Sequence, residues 1–246
     1  MAAFEALIQE RETAEVSDED LLSEQRSYYQ ARAPEYDEWW QRQGRFDRGE
    51  DELLEWQRQV AVVDDALASF GATGSVLELA GGTGWWTERL ARTADHLTVV
   101  DSSPEVLALN QERVGRPDVR YVVADLFDWQ NDSHYDVVFF SFWLSHVPRP
   151  RFGEFWSLVA SWLTPSGRAF FIDNRNDPQP GTPVNDPFVI KYDTDLHLRR
   201  LSDGSEYRVV SVMYEPGELQ SLIEAEDWKA EVQSTRWFVF GSARRS

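Results

Sequence analysis

The sequence has no cysteine, and its 246 residues include only two methionines and four histidines. The absence of cysteine excludes a disulfide framework and a thiolate metal site. The histidines are His96, His134, His146 and His197, and none has metal-ligand spacing such as H-E-x-x-H. We therefore expect neither a disulfide nor a bound metal ion.

Long apolar runs are also missing. No segment approaches the roughly 20 consecutive apolar residues that cross a bilayer. The first ten residues have no basic start that would indicate a secretory signal. We therefore expect a cytoplasmic protein without a membrane segment. Hydrophobic residues still make up 42% of the chain, which is enough to bury a sizeable core.

Positive charge is scarce. The chain has 24 lysines and arginines against 43 aspartates and glutamates, and its net charge is −19. Residues 1–60 alone hold 16 acidic and 7 basic residues. Such a chain repels DNA, RNA and anionic membranes, so we expect no nucleic-acid partner. Because only Lys191 and Lys229 are lysines, an anion site in this chain is expected to use arginine.

One stretch combines a strand, a turn of small residues and a helix. Val76 to Leu79 predicts a buried strand, Ala80 to Gly84 is the turn, and Trp85 to Arg92 has helical character. Glycine lets the backbone approach a ligand closely, and the first helical turn offers unpaired N–H groups. This order is typical of a nucleotide cradle, although an ordinary tight turn remains the alternative.

The spacing within the turn argues against a dinucleotide. Gly82 and Gly84 fit the first pair of the G-x-G-x-x-G/A pattern, but Thr87 stands at its third position. Glu78, just before the turn, would repel a pyrophosphate. A ligand that carries an amino or sulfonium charge suits this carboxylate better.

Three further segments place polar groups at strand ends. Asp101 follows a second strand at Leu97 to Val100 and is placed to hold ribose hydroxyls. Asp125 follows a third strand at Val119 to Ala124. The fourth strand begins at Tyr135, and its exit brings Ser141 to His146 to the carboxyl edge of the sheet, where ligands bind. His146 is a candidate general base, a hydrogen-bonding partner of a substrate oxygen, or a structural cap of its loop.

The remaining pattern completes an α/β order. A helix broken near Pro34 comes first, and Ser202-Asp-Gly-Ser205 indicates a hairpin turn. The other predicted elements are helices at 50–70, 104 onward, 151–163 and 216–226, a turn at 164–167, strands at 168–173, 229–235 and 237–241, and hairpin strands at 195–201 and 205–213.

At the turn the sequence resembles the class I S-adenosylmethionine-dependent methyltransferases. Their first motif reads E/D-x-G-x-G-x-G, and Glu78, Ala80, Gly82 and Gly84 occupy its positions, with alanine replacing the first glycine. The Y-Y-x-x-R-A-x-x-Y-D pattern that starts at Tyr28 resembles the N-terminal lid of small-molecule members. The resemblance implies a doubly wound, seven-stranded, mostly parallel sheet with a helical lid and a β-hairpin insertion.

The resemblance also implies S-adenosylmethionine as the cofactor and assigns roles to residues. Tyr28, Tyr29 and Arg32 would lie over its methionyl end, Asp125 would accept the adenine amino group, and Leu126 would pack on the ring. The candidate cofactor residues are Tyr28, Arg32, Glu78, Ala80, Gly81, Gly82, Gly84, Trp85, Asp101, Ser102, Asp125, Leu126, Phe127 and Ser141. The candidate catalytic residues are His146 and Tyr29.

We expect methyl transfer to a small molecule, at an oxygen of an acid or of a natural-product intermediate, in a chain similar to phosphonate O-methyltransferases. N-methylation, a nucleotide-dependent oxidoreductase and a non-catalytic cofactor-binding subunit are the alternatives. Residues 1–20 are expected to be a flexible acidic leader, and 21–246 a methyltransferase domain with a lid at 21–48 and a substrate-side insertion at 174–213. The chain is expected to be a monomer or a homodimer.

Overall fold

The computed structural model of the chain describes residues 17–175, 189–193 and 195–246. Its strands are β1 (Ser75–Leu79), β2 (His96–Asp101), β3 (Arg120–Val123), β4 (Tyr135–Ser141), β5 (Leu163–Asn174), β6 (Val189–Asp193), β7 (Leu196–Arg200), β8 (Glu206–Val210), β9 (Trp228–Ser234) and β10 (Phe238–Arg245). Its α-helices are α1 (Asp18–Arg32), α2 (Tyr36–Gln41), α3 (Glu50–Phe70), α4 (Thr87–Leu90), α5 (Pro104–Val114), α6 (Phe152–Trp162) and α7 (Pro216–Ala225). Short 3₁₀ turns lie at 33–35, 44–46, 144–146 and 149–151.

Seven strands form the central sheet in the order β3-β2-β1-β4-β5-β10-β9. The five strands from β3 to β5 are parallel, and β10 is antiparallel to both β5 and β9. This confirms the expected doubly wound fold. The strand order reverses between β1 and β4, and ligands of open α/β sheets bind at the carboxyl ends of the strands on either side of such a point.

The core lies on both faces of the sheet, as the continuous apolar sequence of β4 predicts. Val137 and Phe139 pack on the α3 side, whereas Val138 and Phe140 pack on the α6 side, where Trp156 is fully buried. Each such side chain contributes roughly 1.5–3 kcal/mol by leaving water. The buried strands β1 and β4 therefore hold in place the turn that follows β1 and the loop that follows β4.

Some local predictions differ from the structure. The expected turn at 164–167 lies inside β5, as an irregularity between the pairs Tyr135–Leu163 and Val137–Arg168. A Cβ on Gly167 would stand 3.0 Å from the carbonyl oxygen of Tyr135, so the two backbones approach closely there. The helix expected at 85–92 is only Thr87–Leu90, and β6 is a third strand beside the predicted hairpin.

The N-terminal segment forms α1, which lies along a cavity at the carboxyl edge of the central sheet. Ser17 caps α1 by accepting from the backbone of Asp20, so the helix begins within the expected leader. The α-helix ends at Arg32, close to the expected break near Ala33. Ala33 nevertheless keeps a right-handed helical backbone, and a 3₁₀ turn continues through Pro34, so the restriction on the residue before proline is overridden here. Residues 1–16 of the leader and residues 176–188 and 194 of the insertion lie outside the described residues.

The described residues contain neither a helix that could cross a membrane nor a cluster that could hold a metal ion. None of the helices there has the length and apolarity that crossing a membrane requires. Within residues 17–175, 189–193 and 195–246, no group of three or more histidines and acids is arranged to hold a metal ion.

Two residues at the carboxyl ends of the central strands have left-handed backbones without being glycine. Ala80 follows β1 with φ of 51°, and Phe142 follows β4 with φ of 52°. A side chain in this region costs roughly 1–2 kcal/mol. Such strain persists where the surrounding structure holds the backbone in place, as the buried strands do here.

Replacing Ala80 by glycine should therefore stabilise the protein. We expect Ala80→Gly to raise the free energy of unfolding by about 0.5–1 kcal/mol, because the relieved strain exceeds the extra entropy of the unfolded chain. Urea unfolding measures the change. Ala66→Gly, within α3, is the control and should lower stability by about 1 kcal/mol. A loss of stability in both variants would contradict the strained backbone at Ala80.

Candidate active site

A cavity that is partly open to solvent lies at the carboxyl ends of β1, β2, β3 and β4, and the empty space in it, counted together with the solvent at its mouth, is about 800 Å³. Helix α1 covers one side of it. The lining residues are Leu22, Gln25, Arg26, Tyr29, Tyr36, Ala80, Gly82, Asp101, Ser102, Val106, Ala124, Asp125, Leu126, Phe127, Ser141, Phe142, Trp143 and His146.

The glycines of the turn after β1 have different roles. A Cβ on Gly81 would stand 2.2 Å from Val99, and one on Gly84 would stand 2.9 Å from Asn110, so both positions exclude a side chain. Gly82, with φ of 55°, has no atom closer than 3.9 Å to its Cβ position and lines the cavity. Gly82 is therefore where the backbone itself faces the cavity.

The turn is held from behind by Asn110, which the sequence reasoning missed. This residue of α5 is fully buried. Its amide nitrogen donates to the carbonyl oxygens of Gly81 and Gly82, at 3.1 Å each, and to the hydroxyl of Thr87 at 2.7 Å. Its amide oxygen accepts from the Tyr121 hydroxyl at 3.2 Å. No motif pointed to it, because its role arises from packing α5 against the turn.

Glu78 lies beneath the turn and does not line the cavity. The side chain is almost fully buried, and its Oε2 has no hydrogen-bond partner among the residues that the structure describes. Burial raises the pKa of this carboxyl to about 8, with a further increase from Asp101, while a hydrogen bond from Thr87 acts in the opposite direction. A cation nearby would favour the ionised form.

Asp101 lines the cavity at the end of β2, as expected, and Ser102 lines it next to Asp101. The Asp101 carboxylate accepts from the backbone N–H of Gly82 and of Ser103, at 3.0 Å each. Burial raises the pKa of Asp101, and these backbone bonds oppose the increase. One carboxylate thus joins the turn after β1 to the turn after β2.

The residues that follow β3 also line the cavity. Asp125 accepts from the backbone N–H of Phe127 at 2.9 Å, and its other oxygen pairs with Arg26 of α1 at 2.5 Å. Leu126 and Phe127 supply apolar surface beside it. Ser141 lines the cavity at the end of β4. Arg26 is a further residue that the sequence reasoning did not identify.

Tyr29 and His146 meet at the cavity, although 117 positions separate them in the sequence. The Tyr29 hydroxyl lies 2.6 Å from His146 Nε2, and His146 Nδ1 lies 2.6 Å from the carbonyl oxygen of Val210. Because a carbonyl only accepts, Nδ1 carries the proton, and neutral Nε2 accepts from Tyr29. Burial, and next the charge of Arg199, lower the pKa of His146 to about 3. The histidine is therefore neutral at physiological pH.

Behind Tyr29 lie two buried arginines. Arg199 of β7 donates to the Tyr29 hydroxyl over 3.4 Å, and Arg32 donates to the Tyr28 hydroxyl over 3.2 Å. Both arginine residues are 5% exposed. Burial raises the pKa of Tyr29, although Arg199 lowers it, so the phenol keeps its proton. Two guanidinium groups thus lie behind the tyrosines at this end of the site.

The structure brings most of the candidate residues to one cavity. Those that line it are Tyr29, Ala80, Gly82, Asp101, Ser102, Asp125, Leu126, Phe127, Ser141 and His146. Those that do not are Tyr28, Arg32, Glu78, Gly81, Gly84 and Trp85. Trp85 stacks on Trp40, with ring centroids 4.9 Å apart and an interplanar angle of 9°. Tyr28 and Arg32 lie one layer behind Tyr29 and Tyr36.

Lining residues that the sequence reasoning missed belong mainly to α1. They are Leu22, Gln25, Arg26, Tyr36, Val106 and Ala124, whereas Phe142 and Trp143 lie within the segment Ser141 to His146 that was expected at this edge. The predicted lid at 21–48 contains four of them. Its aromatic pattern was therefore a usable signal, but it did not show which face of α1 turns inward.

Comparison with known proteins agrees with this geometry. A family model described as a methyltransferase domain matches residues 76–167. A DhpI–SAH complex has a TM-score of 0.75 and 32% identity, and the match covers 94% of this chain and 99% of that chain. A DhpI–SAM–HEP complex has a TM-score of 0.74 and 32% identity, and covers 93% and 100% of the two chains.

A demethylmenaquinone methyltransferase of Clavibacter sepedonicus is 33% identical over 129 residues. That match takes in 52% of this chain and only about half, 49%, of the relative. A 1,6-didemethyltoxoflavin-N1-methyltransferase of Burkholderia thailandensis has a TM-score of 0.60 at 18% identity, over 95% and 92% of the two chains, which shows the shared fold alone.

The glycine turn, the acids at the ends of β1 and β2 and the seven-stranded sheet thus occur together with 32% identity to DhpI over almost the full length of both chains. The chain belongs to the small-molecule class I S-adenosylmethionine-dependent methyltransferases.

Proposed function

We propose that the protein transfers the methyl group of S-adenosylmethionine to an oxygen of a small acid. The observation that carries this proposal is the Tyr29–His146 pair, in which a neutral histidine of low basicity is already occupied by a phenol proton. Such a pair orients an acceptor and does not deprotonate it. An acceptor that arrives ionised fits this arrangement.

The cavity residues fit the cofactor. Gly82 leaves open space where any other residue would place a side chain, and the buried Oε2 of Glu78 lacks a partner within the described part of the chain. Together with Asp101 and Asp125, Glu78 makes the ends of β1, β2 and β3 acidic. We assign the ribose to Asp101, the adenine amino group to Asp125, and a charge complementary to the cofactor's cationic end to Glu78.

When bound, S-adenosylmethionine would supply a methyl group attached to a sulfonium. The sulfur would keep the electrons of the broken bond and leave as a neutral thioether, so the acceptor provides the electron pair of the new bond. The protein must therefore align the acceptor and exclude water. Tyr29 and the apolar side chains of Leu22, Phe142 and Trp143 line the cavity. They would hold the acceptor in place and keep water out.

Proton removal separates the acceptor classes. A neutral alcohol or a protonated amine must lose a proton, and an efficient general base has a pKa near the working pH. His146, with a pKa of about 3, is far below that range, and its Nε2 already accepts from Tyr29. A carboxylate or phosphonate oxygen carries its charge before it binds. The site therefore favours O-methylation of an acid over N-methylation.

Charge favours the same class. The guanidinium groups of Arg199 and Arg32 stabilise negative charge next to Tyr29, since both act to lower its pKa. Neither arginine lines the cavity, so their charges would favour an anionic acceptor through space and not by direct hydrogen bonds. The DhpI structure that contains SAM also contains a compound named HEP, which we would test first, followed by small phosphonic and carboxylic acids, including natural-product intermediates.

The direct experiment is a methyl-transfer assay with S-adenosylmethionine and a panel of phosphonic acids, carboxylic acids, alcohols and amines. We expect acids to be methylated, and we expect Tyr29→Phe to reduce kcat about 5- to 150-fold, the effect of losing a buried hydrogen bond of 1–3 kcal/mol. Tyr135→Phe, a buried tyrosine at the opposite end of β4, is the matched control and should keep its kcat. Turnover of amines or alcohols but not of acids would refute the proposal.

Gly82 can be tested apart from turnover. We expect Gly82→Val to weaken S-adenosylhomocysteine binding by at least about tenfold, or 1.4 kcal/mol, because the side chain would enter the cavity. Calorimetric titration measures the dissociation constant. Gly115→Val is the control, since Gly115 has φ of 61°, equally open surroundings and no place in the cavity. Equal affinities of the two variants would exclude Gly82 from the cofactor site.

Glu78 predicts a proton linkage. At pH 7 its carboxyl, with a pKa raised to about 8, is mostly protonated in the free protein. A cation bound nearby lowers this pKa, so S-adenosylmethionine binding at pH 7 should release up to one proton. Calorimetry in buffers of different ionisation enthalpy counts the protons, and Glu78→Gln should abolish the release. Identical heats in all buffers for the wild type would place the ligand's charge away from Glu78.

A further inference from the structure

The outer edge of β8 lies against α1. The three-stranded sheet has the order β6-β7-β8, so among the residues that the structure describes one edge of β8 has no strand beside it. The backbone N–H groups of Arg208 and Val210 point from that edge and donate to side chains of α1, to Glu24 at 2.6 Å and to Gln25 at 3.1 Å. An unpaired edge is thus covered by two consecutive helix residues.

Gln25 uses both ends of its amide. Its oxygen accepts from the Val210 N–H, and its nitrogen donates to the carbonyl oxygen of His146 at 3.2 Å. The residue is 3% exposed and lines the cavity beside Tyr29. A buried primary amide with both ends bound fixes the two backbone segments that it joins, because losing either bond would leave a buried polar group unpaired.

The carbonyl group of the same residue, Val210, then fixes the imidazole. Val210 donates to Gln25 through its N–H and accepts from His146 Nδ1 through its carbonyl oxygen, at 2.6 Å. The Gln25 amide, the Val210 residue and His146 therefore form a closed ring of three hydrogen bonds. The partner of one imidazole nitrogen decides which nitrogen carries the proton.

We propose that Gln25 is a positioning residue which, by holding Val210, keeps the His146 proton on Nδ1 and leaves Nε2 free to accept from Tyr29. Without this ring the proton would also populate Nε2, and the imidazole would then donate toward the Tyr29 hydroxyl. That hydroxyl would lose its only acceptor at the histidine and point elsewhere. The consequence for turnover rests on the proposed function, whereas the position of the proton does not.

The first test observes the proton directly. We would label the histidines with ¹⁵N and record the imidazole nitrogens of the full chain without any ligand, assigning His146 by comparison with His146→Asn. We expect one neutral form, protonated at Nδ1. A wild-type spectrum of His146 protonated at Nε2 would overturn the proposal even if no variant folded.

The second test removes the ring. Gln25→Met keeps the length of the side chain and deletes both hydrogen bonds, and we expect a mixture of the two neutral forms. Gln25→Glu keeps an acceptor for the Val210 N–H and should retain the proton on Nδ1. An unchanged His146 spectrum in Gln25→Met would overturn the proposal.

A matched control separates positioning from general stability. Gln59 is also buried, and its side-chain oxygen accepts from the backbone N–H of Trp237 at 3.2 Å, but it lies outside the cavity. Gln59→Met should lower stability without changing the spectrum of His146. A change in that spectrum equal to the one in Gln25→Met would reduce the role of Gln25 to stability and overturn the proposal.

The kinetic arm uses an acceptor found in the methyl-transfer assay. We expect Gln25→Met to lower kcat about fivefold, as for one neutral hydrogen bond, while the dissociation constant of S-adenosylhomocysteine changes less than about twofold. An unchanged kcat would overturn the positioning role. If no acceptor is methylated, the proposed function fails, and the spectrum of His146 still decides the question of Gln25.

Discussion

The hydrogen bonds of the Asn110 amide determine the shape of the turn after β1, and the cavity depends on that turn. Two backbone carbonyls and one hydroxyl are held from α5, and Asp101 holds the Gly82 N–H from β2. The turn is thereby fixed from two sides before any ligand binds. This preorganisation explains how Ala80 keeps a left-handed backbone that an isolated alanine would avoid.

The sequence predicted what depends on short-range pattern. The strands from β1 to β5, the hairpin β7–β8 and the place of Asp101 and His146 each follow from residues close together in the chain. Contacts between distant segments could not be predicted in this way. Nothing near Gln25 indicates Val210, 185 positions away, and nothing near Asn110 indicates the turn. Helix periodicity predicts a buried face, but it does not say what lies opposite.

The site separates charge along its length. Acids lie at the ends of β1, β2 and β3, and the arginines Arg32 and Arg199 lie behind the tyrosines of α1. Because these acids and arginines are largely buried, less water screens their charges, and each charge has a stronger effect on the others. Burial raises the pKa of Glu78 and lowers that of His146, so these two groups carry less charge than the sequence alone suggests.

In the ion pair between Arg26 and Asp125, Arg26 competes with any ligand group that would donate to the Asp125 carboxylate. Its side chains are 41% and 24% exposed, so it contributes only about 0–1 kcal/mol. A ligand group that donates to Asp125 therefore displaces a contact of small value, and salt weakens that contact further. Arg26 therefore keeps the half-buried Asp125 carboxylate paired in the ligand-free protein, and the pair is weak enough for a ligand to replace it.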